Sequence, residues 1–351
     1  MRPYLHMKMY QDNGYVNFDY MYDKSERTPF NFGWGGRGTG KTYNAIQGLI
    51  NLHKPFIYMR RQQSQSDLIL DPELCPFKTP LRDMGYEYKI DRMAKNIYGV
   101  YGHAADEEES RLLAISLSLS TVAGVRGFDA SNIDCMLYDE FIPEAHARPI
   151  KNEASAFLNC YETVNRNREL NGRKPLKIFA FSNSDNAVCP IFVYWELLET
   201  VIGMSDRRAP YLMIPERGIS LYNYCDSPIS KRKAETALYK AAGANSAFTA
   251  MAINNEFVDL NRGNIKSMDL KNLYAMVNVG ELCIYRTRDK RSFYISRTHL
   301  KTKNNYGADD IDLQRFRASY SFLWIDYLHY NVYSENLICE KIFLTYMKKA
   351  Y

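Results

Sequence analysis

The octapeptide Gly35-Gly36-Arg37-Gly38-Thr39-Gly40-Lys41-Thr42 constrains this chain more than any other stretch. It satisfies the Gly-x-x-x-x-Gly-Lys-Thr pattern of a phosphate-binding loop, which has meaning only between a strand and a helix. Both flanks comply. Phe30-Asn31-Phe32-Gly33-Trp34 alternates large apolar residues with smaller or polar ones, as a short strand does. Ala45, Ile46, Leu49 and Ile50 recur at helical spacing. Glycines let backbone N–H groups turn toward phosphate oxygens, and the helix N-terminus adds a partial positive charge. Gly35, Gly36, Arg37, Gly38, Thr39 and Gly40 are therefore expected to cradle the phosphates of ATP. Lys41 would bind the β- and γ-phosphates, and the Thr42 hydroxyl would ligate Mg²⁺.

A phosphate loop does not say what its energy is used for, so the carboxylates matter next. Asp139-Glu140 follows the apolar run Ile133–Tyr138. In a nucleotide hydrolase of this type the Asp holds the Mg²⁺ shell. A Glu beside it is placed to orient and deprotonate the attacking water. That pair favours an additional-strand, catalytic-glutamate ATPase over a switch GTPase, and no Asn-Lys-x-Asp base-reading motif is present. The competing reading is a strand end with two solvated acids. Ser182-Asn183 ends the apolar strand "LKIFAF" and either senses the γ-phosphate or makes a capping turn. Arg166 and Arg168 close a predicted helix over Asn152 to Arg168. They either complement its dipole or donate an arginine finger to a neighbouring subunit's ATP. Arg126, in "GVRGFD", is a second finger candidate, whereas Arg60 and Arg61 read first as ion-pair partners.

Strands are further expected at Lys54–Arg61, Asn96–His103 and Leu112–Leu119, the last two joined by the acidic turn "ADEEES". Strands alternating with helices after a phosphate loop predict an α/β fold with a mostly parallel, doubly wound sheet. Ligands of such sheets bind at the carboxyl ends of the strands, where all the polar tips named above fall. The pattern changes near residue 200. Asp226-Ser227-Pro228 reads as a helix start, with short helices at Ile229–Ala242 and Ser246–Ile253. Three antiparallel strands then follow in "NLYAMVNVG", "ELCIYRTRD" and "RSFYISRTH", and a long helix over Asp309 to His329. This gives three regions: an ATPase domain at 1–205, a linker or lid at 206–258, and a C-terminal domain at 259–351. No second nucleotide domain follows residue 200, which argues against a two-lobed helicase.

Charge sharpens that division. Residues 1–259 carry 30 Lys+Arg against 31 Asp+Glu, and residues 260–351 carry 15 against 9. The whole positive excess lies in the C-terminal quarter, as a polyanion-binding region would have it. Seven scattered cysteines without a Cys-x-x-Cys pair read as reduced thiols. No run of about 18 apolar residues exists, so no membrane span is expected.

The succession "GGRGTGKT", "FIYMRR", "YDEFI", "NEASAFLNCYETVNRNRE" and "SNSDNAVCPIF" resembles the genome-packaging ATPases of phi29-type tailed phages, the DNA encapsidation proteins. The match runs from about Phe30 to Phe192 in motif order and spacing. The resemblance implies an N-terminal additional-strand ATPase domain, a small helical linker, and a C-terminal domain resembling ribonuclease H. It implies a homomeric ring, a pentamer, docked on the portal of a prohead in the host cytoplasm and absent from the mature virion. ATP and Mg²⁺ are its cofactors, double-stranded DNA is its substrate, and a structural RNA stays open as a further partner. Carried over by position, Lys41 and Thr42 match the phosphate and Mg²⁺ contacts, Asp139 the metal-shell acid, Glu140 the catalytic base and Arg166 the trans-acting finger. Arg126 falls where the family has a trans-acting basic residue that is usually Lys. Pro143 stands where a relative has Arg, so no role transfers to it.

An active ribonuclease-H-type nuclease needs about three to four clustered acids, one on its first strand. The expected first strand, "NLYAMVNVG", has none, and Asp309, Asp310, Asp312 and Glu335 have no partner there. A vestigial nuclease is expected. Arg286, Arg288, Lys290, Arg291, Arg297, Lys301 and Lys303 cluster within 18 residues, opposed only by Asp289, and read as phosphate or portal contacts or as a solvated basic hairpin. Two alternatives to the motor remain: a terminase-like enzyme with a live nuclease, and a non-hydrolysing nucleic-acid scaffold protein holding a nucleotide.

Overall fold

The computed structural model describes residues 8–121, 130, 132–144, 147–148, 150–184, 187–242, 249, 252–253, 257 and 264–347. The chain divides into two compact units, Met1–Asp259 and Leu260–Tyr351.

The first unit is built on a nine-stranded sheet. Its strands are β1 (Phe30–Gly35), β2 (Phe56–Arg60), β3 (Tyr86–Ala94), β4 (Ile97–Ala104), β5 (Arg111–Ser118), β6 (Cys135–Asp139), β7 (Lys177–Ser182), β8 (Tyr211–Ile214) and β9 (Ile219–Tyr224). They lie in the order β3-β4-β5-β2-β6-β7-β1-β9-β8. Six central strands, from β5 to β9, pair in parallel. The antiparallel strands β3, β4 and β8 finish the two edges. Parallel strands covered on both faces read as unbroken apolar runs, and β6, β7 and β9 are buried along their whole length. The period-two pleat divides their side chains between two cores. Leu137, Phe179 and Phe181 face the helix Lys41–Ile50 through Ile46, Leu49 and Ile50. On the other face Tyr138 stacks on Phe157 of the helix Glu153–Asn165, with ring centroids 5.5 Å apart.

The expected strands at 30–34, 54–61, 96–103 and 112–119 and the helix after the loop are all present, with ends shifted by a few residues. The boundary expected near residue 205 is corrected. Strand β9 pairs in parallel with β1, inside the edge strand β8 of the same sheet, with Gly35 standing opposite Tyr224. Residues 211–224 therefore belong to the first unit, not to a separate linker. The signal was hidden because "ISLYNY" is buried on both faces and shows no simple alternation. Helices Pro228–Lys233 and Ala237–Ala242 replace one continuous helix over Ile229–Ala242. Most of the expected helix at 246–253 lies outside the described residues, as does Arg126.

The second unit holds a five-stranded sheet of β10 (Leu273–Val279), β11 (Leu282–Thr287), β12 (Phe293–Ser296), β13 (Asn305–Tyr306) and β14 (Val332–Ser334), ordered β13-β10-β11-β12-β14. Its first three strands form the expected antiparallel meander, and β13 and β14 add in parallel on either side. One face, with Val277, Ile284 and Ile295, packs on Phe316, Leu323 and Phe343. The long helix expected over Asp309 to His329 is two helices, Asp310–Ser319 and Phe322–Leu328. The break falls at Tyr320, which leaves helical geometry and turns its ring onto Phe316, 5.4 Å between centroids. Neither Gly nor Pro marks it. All seven cysteines are free and buried.

Candidate active site

The phosphate loop leaves the carboxyl end of β1, and its geometry explains its glycines. Gly38 and Gly40 adopt φ +65° and +81°, a left-handed region that costs glycine nothing. Lys41 then opens the helix Lys41–Ile50 and is buried. Its ammonium lies 2.7 Å from Gly36 O, 3.1 Å from Gly35 O, and 3.4 Å from both Thr39 Oγ1 and Asn183 Oδ1. Neighbouring β7 thus delivers Asn183 to the cradle, as the polar-tip reading expects. Ser182 lines the same cavity, but its hydroxyl accepts from Ile142 N at 3.2 Å. It fixes the turn that follows Glu140.

Arg37, Gly38, Thr39, Gly40, Lys41 and Thr42 line a cavity of about 380 Å³ together with Asp139, Glu140, Ser182 and Asn183. Thr42 donates to Asp139 Oδ1 over 2.7 Å. These are hard oxygen donors of the kind Mg²⁺ prefers, so the residues present fit that ion, and Thr42 and Asp139 would be the ones to hold it. Glu140, the first residue past β6, has φ +57°. An acid at positive φ is uncommon, and such backbone is concentrated at functional sites.

Two residues complete the carboxylate pair. Tyr58 and Arg60 share one face of β2, two positions apart, beside β6. Tyr58 OH donates to Asp139 Oδ2 at 2.9 Å. Arg60 Nη1 reaches that same oxygen at 2.7 Å, while its Nη2 reaches Glu140 Oε2 at 2.5 Å. Burial pushes the Glu140 carboxyl above the ordinary range; Arg60 pulls it down, and the charges of Asp139 and Glu144 push it up again. Arg60 is thus an ion-pair partner, as expected, though of both functional acids. Tyr58 was not anticipated; its only signal is its phase with Arg60 along the strand. Arg61 points to the other face and forms a bidentate pair with Glu153 at 2.6 and 2.7 Å. That pair ties the end of β2 to the start of the helix Glu153–Asn165.

Arg166 and Arg168 part company. Arg168 is buried, donating to Asp134 at 3.0 Å and to the carbonyl of Ile133. Asp134 precedes β6, five residues before Asp139, so this end of the unit is roughly 16 Å from the acids at 3.3 Å per strand residue. Arg168 is therefore a structural tie and not a finger. Arg166 ends the helix at φ +46°, exposed, its Nε 3.3 Å from Thr163 O. It lies at the far end of the unit from its own phosphate loop. Arg37 is paired with Glu144 at 2.5 Å.

Residues 12–319 match the model of the Podovirus DNA encapsidation protein (Gp16). The chain belongs to that family. Among relatives of this encapsidation-family chain, the DNA packaging protein of Bacillus phage phi29 is 25% identical over 292 residues, covering 81% of this chain and 80% of that protein. The packaging protein of Bacillus phage PZA shows the same identity and coverage. The fold of the encapsidation-family chain is similar to that in the bacteriophage Phi-29 viral genome packaging motor assembly, with TM-score 0.62, 18% identity, and 95% and 99% of the two chains covered. It is also similar to the Phi-28 gp11 DNA packaging motor, with TM-score 0.58, 15% identity, and 97% and 99% covered. Among its described residues no helix is long and apolar enough to cross a membrane.

Proposed function

We propose that this chain is the ATPase of a genome-packaging motor, hydrolysing ATP to drive double-stranded DNA into a preformed capsid as a homomeric ring, a pentamer, on the portal. The observation that carries the reading is the joining of three motifs at one cavity: Lys41 in its loop, Thr42 held 2.7 Å from Asp139, and Glu140 beside both. Membership in the encapsidation family supplies the DNA-packaging context. Loop amides and Lys41 bind the phosphates. Mg²⁺, held by Thr42 and Asp139, would neutralise phosphate charge. Glu140 takes the proton of the attacking water, and for that it must be ionised and released from Arg60.

A ring reading is supported by the position of Arg166, exposed at the end of the helix Glu153–Asn165 and remote from its own cavity. In the second unit all seven clustered basic residues from Arg286 to Lys303 are exposed, as contacts to a phosphate backbone require. Three of the four acids named there have other work. Asp309 caps the helix Asp310–Ser319, Asp312 accepts from Gly307 N at 2.7 Å, and Glu335 accepts from Ser296 at 2.8 Å. This favours a ribonuclease-H-like remnant without cleavage activity. DNA-stimulated ATPase activity tests the whole reading. Turnover that ignores DNA and subunit concentration, and survives loss of Arg166, would sink the ring mechanism.

A further inference from the structure

The phosphate loop is also gripped from outside by parts of the chain that no motif marks. Lys233, at the end of the helix Pro228–Lys233, donates to the carbonyl of Arg37 at 2.5 Å. A Cβ on Gly38 would come within 2.8 Å of the Lys233 ammonium, so the absence of a side chain at 38 makes the approach open. On its other side Lys233 lies 5.5 Å above the Tyr239 ring. A second segment joins in. Val16 N donates to Thr39 O at 2.9 Å, and Asn44 Nδ2 donates to Val16 O at 2.9 Å. The two supports touch each other, because Ser227 Oγ donates to Gly14 O at 3.4 Å and a Cβ on Gly14 would meet Pro228 Cβ at 3.1 Å.

A peptide group is planar and trans, so its C=O and N–H point in opposite directions. The Arg37 carbonyl and the Gly38 N–H belong to one peptide. A cation that draws the carbonyl to one side therefore aims the N–H to the other. Gly38 lines the phosphate cavity. We propose that Lys233 is a positioning residue for the phosphate loop: it holds the Arg37–Gly38 peptide so that the Gly38 N–H serves nucleotide phosphate, and it thereby ties the helix Pro228–Lys233 to nucleotide binding. This rests on the reading of the cavity as an ATP site. The bond is charge-assisted and partly buried, the kind that is shorter and stronger than a neutral one.

Three variants of the full chain test it: Lys233→Met, Lys233→Arg, and Lys231→Met, which removes one exposed charge from the same helix. ATPγS affinity, kcat and amide exchange are measured. Lys233→Met is expected to weaken ATPγS binding about ten-fold, with kcat at saturating ATP reduced much less. Lys233→Arg should restore most of the affinity, and Lys231→Met should match wild type. In wild type, ATPγS should protect the Gly38 amide and residues 228–233 together. Unchanged affinity in Lys233→Met, or equal losses in Lys233→Met and Lys231→Met, overturns the proposal. If Lys233→Met does not fold, the wild-type exchange decides: protection of Gly38 without any change at 228–233 overturns it. A wild-type chain that binds no ATPγS would instead remove the nucleotide reading itself.

Discussion

Arg60 holds Glu140 at 2.5 Å, so the acid proposed to activate water is pinned from within its own chain. The same guanidinium holds Asp139 at 2.7 Å. One cation thus balances two acids that would otherwise repel each other across a partly buried site.

Removal of that cation has a predictable pH signature. Glu140 works as a base only when ionised. Burial already raises its pKa and Arg60 opposes the rise. Arg60→Ala should therefore raise it further, moving the acidic limb of the kcat–pH profile upward. Activity is lost as pH falls through that pKa, so the variant should fail first on the acid side. A limb that stays put or moves down would exclude this coupling.

Glu140→Gln keeps the shape of the side chain and removes the base. Turnover should fall about 10²- to 10⁴-fold, while ATP affinity stays within a few-fold of wild type. Single-turnover kinetics and equilibrium nucleotide binding separate the two. Normal turnover would assign the base elsewhere.

The Arg61–Glu153 pair offers a stability test away from the chemistry. Both side chains are 2% exposed. Glu153→Ala strands a buried guanidinium, and about 3–5 kcal/mol of unfolding free energy should be lost. Replacing both residues with apolar ones of similar volume should cost much less. Denaturant titration with the m-value held constant reads the difference.

Arg166 and Arg168 should separate in the same assays. Arg168→Met is expected to destabilise the fold by cutting the buried link to Asp134. Arg166→Ala should leave the melting temperature near wild type and abolish ring ATPase activity. Mixing Arg166→Ala with Lys41→Ala subunits should recover part of that activity, since an intact loop then meets an intact finger at some junctions. No recovery at any mixing ratio would count against action in trans.

Features carried by one local run were legible before the structure. The loop, its flanking strand and helix, and the acid pair at the end of β6 each sit in a short window with its own periodicity. What escaped was set by partners distant in sequence. Tyr58 and Arg60 meet Asp139 only because β2 lies beside β6, a neighbour relation that no periodicity records. Strand β3 was passed over because "YEYKIDRMA" is an edge strand with no fully buried position. Lys233 reaches Arg37 across 196 residues, and in sequence it is one of three cations in a row. Tyr320 breaks a helix through aromatic packing, without a breaker residue to announce it.

The adjacency of β1 and β9 has a mechanical consequence. Gly35, where the loop begins, stands opposite Tyr224, and a Cβ on that glycine would be 2.7 Å from the tyrosine Cβ. Two strands in such contact cannot slide independently. Any displacement of the loop's first residue has to cross only one inter-strand spacing, about 4.8 Å, to reach the strand that ends at Tyr224. In engineering terms, the two strands are adjacent staves, and a load on one is a load on the other.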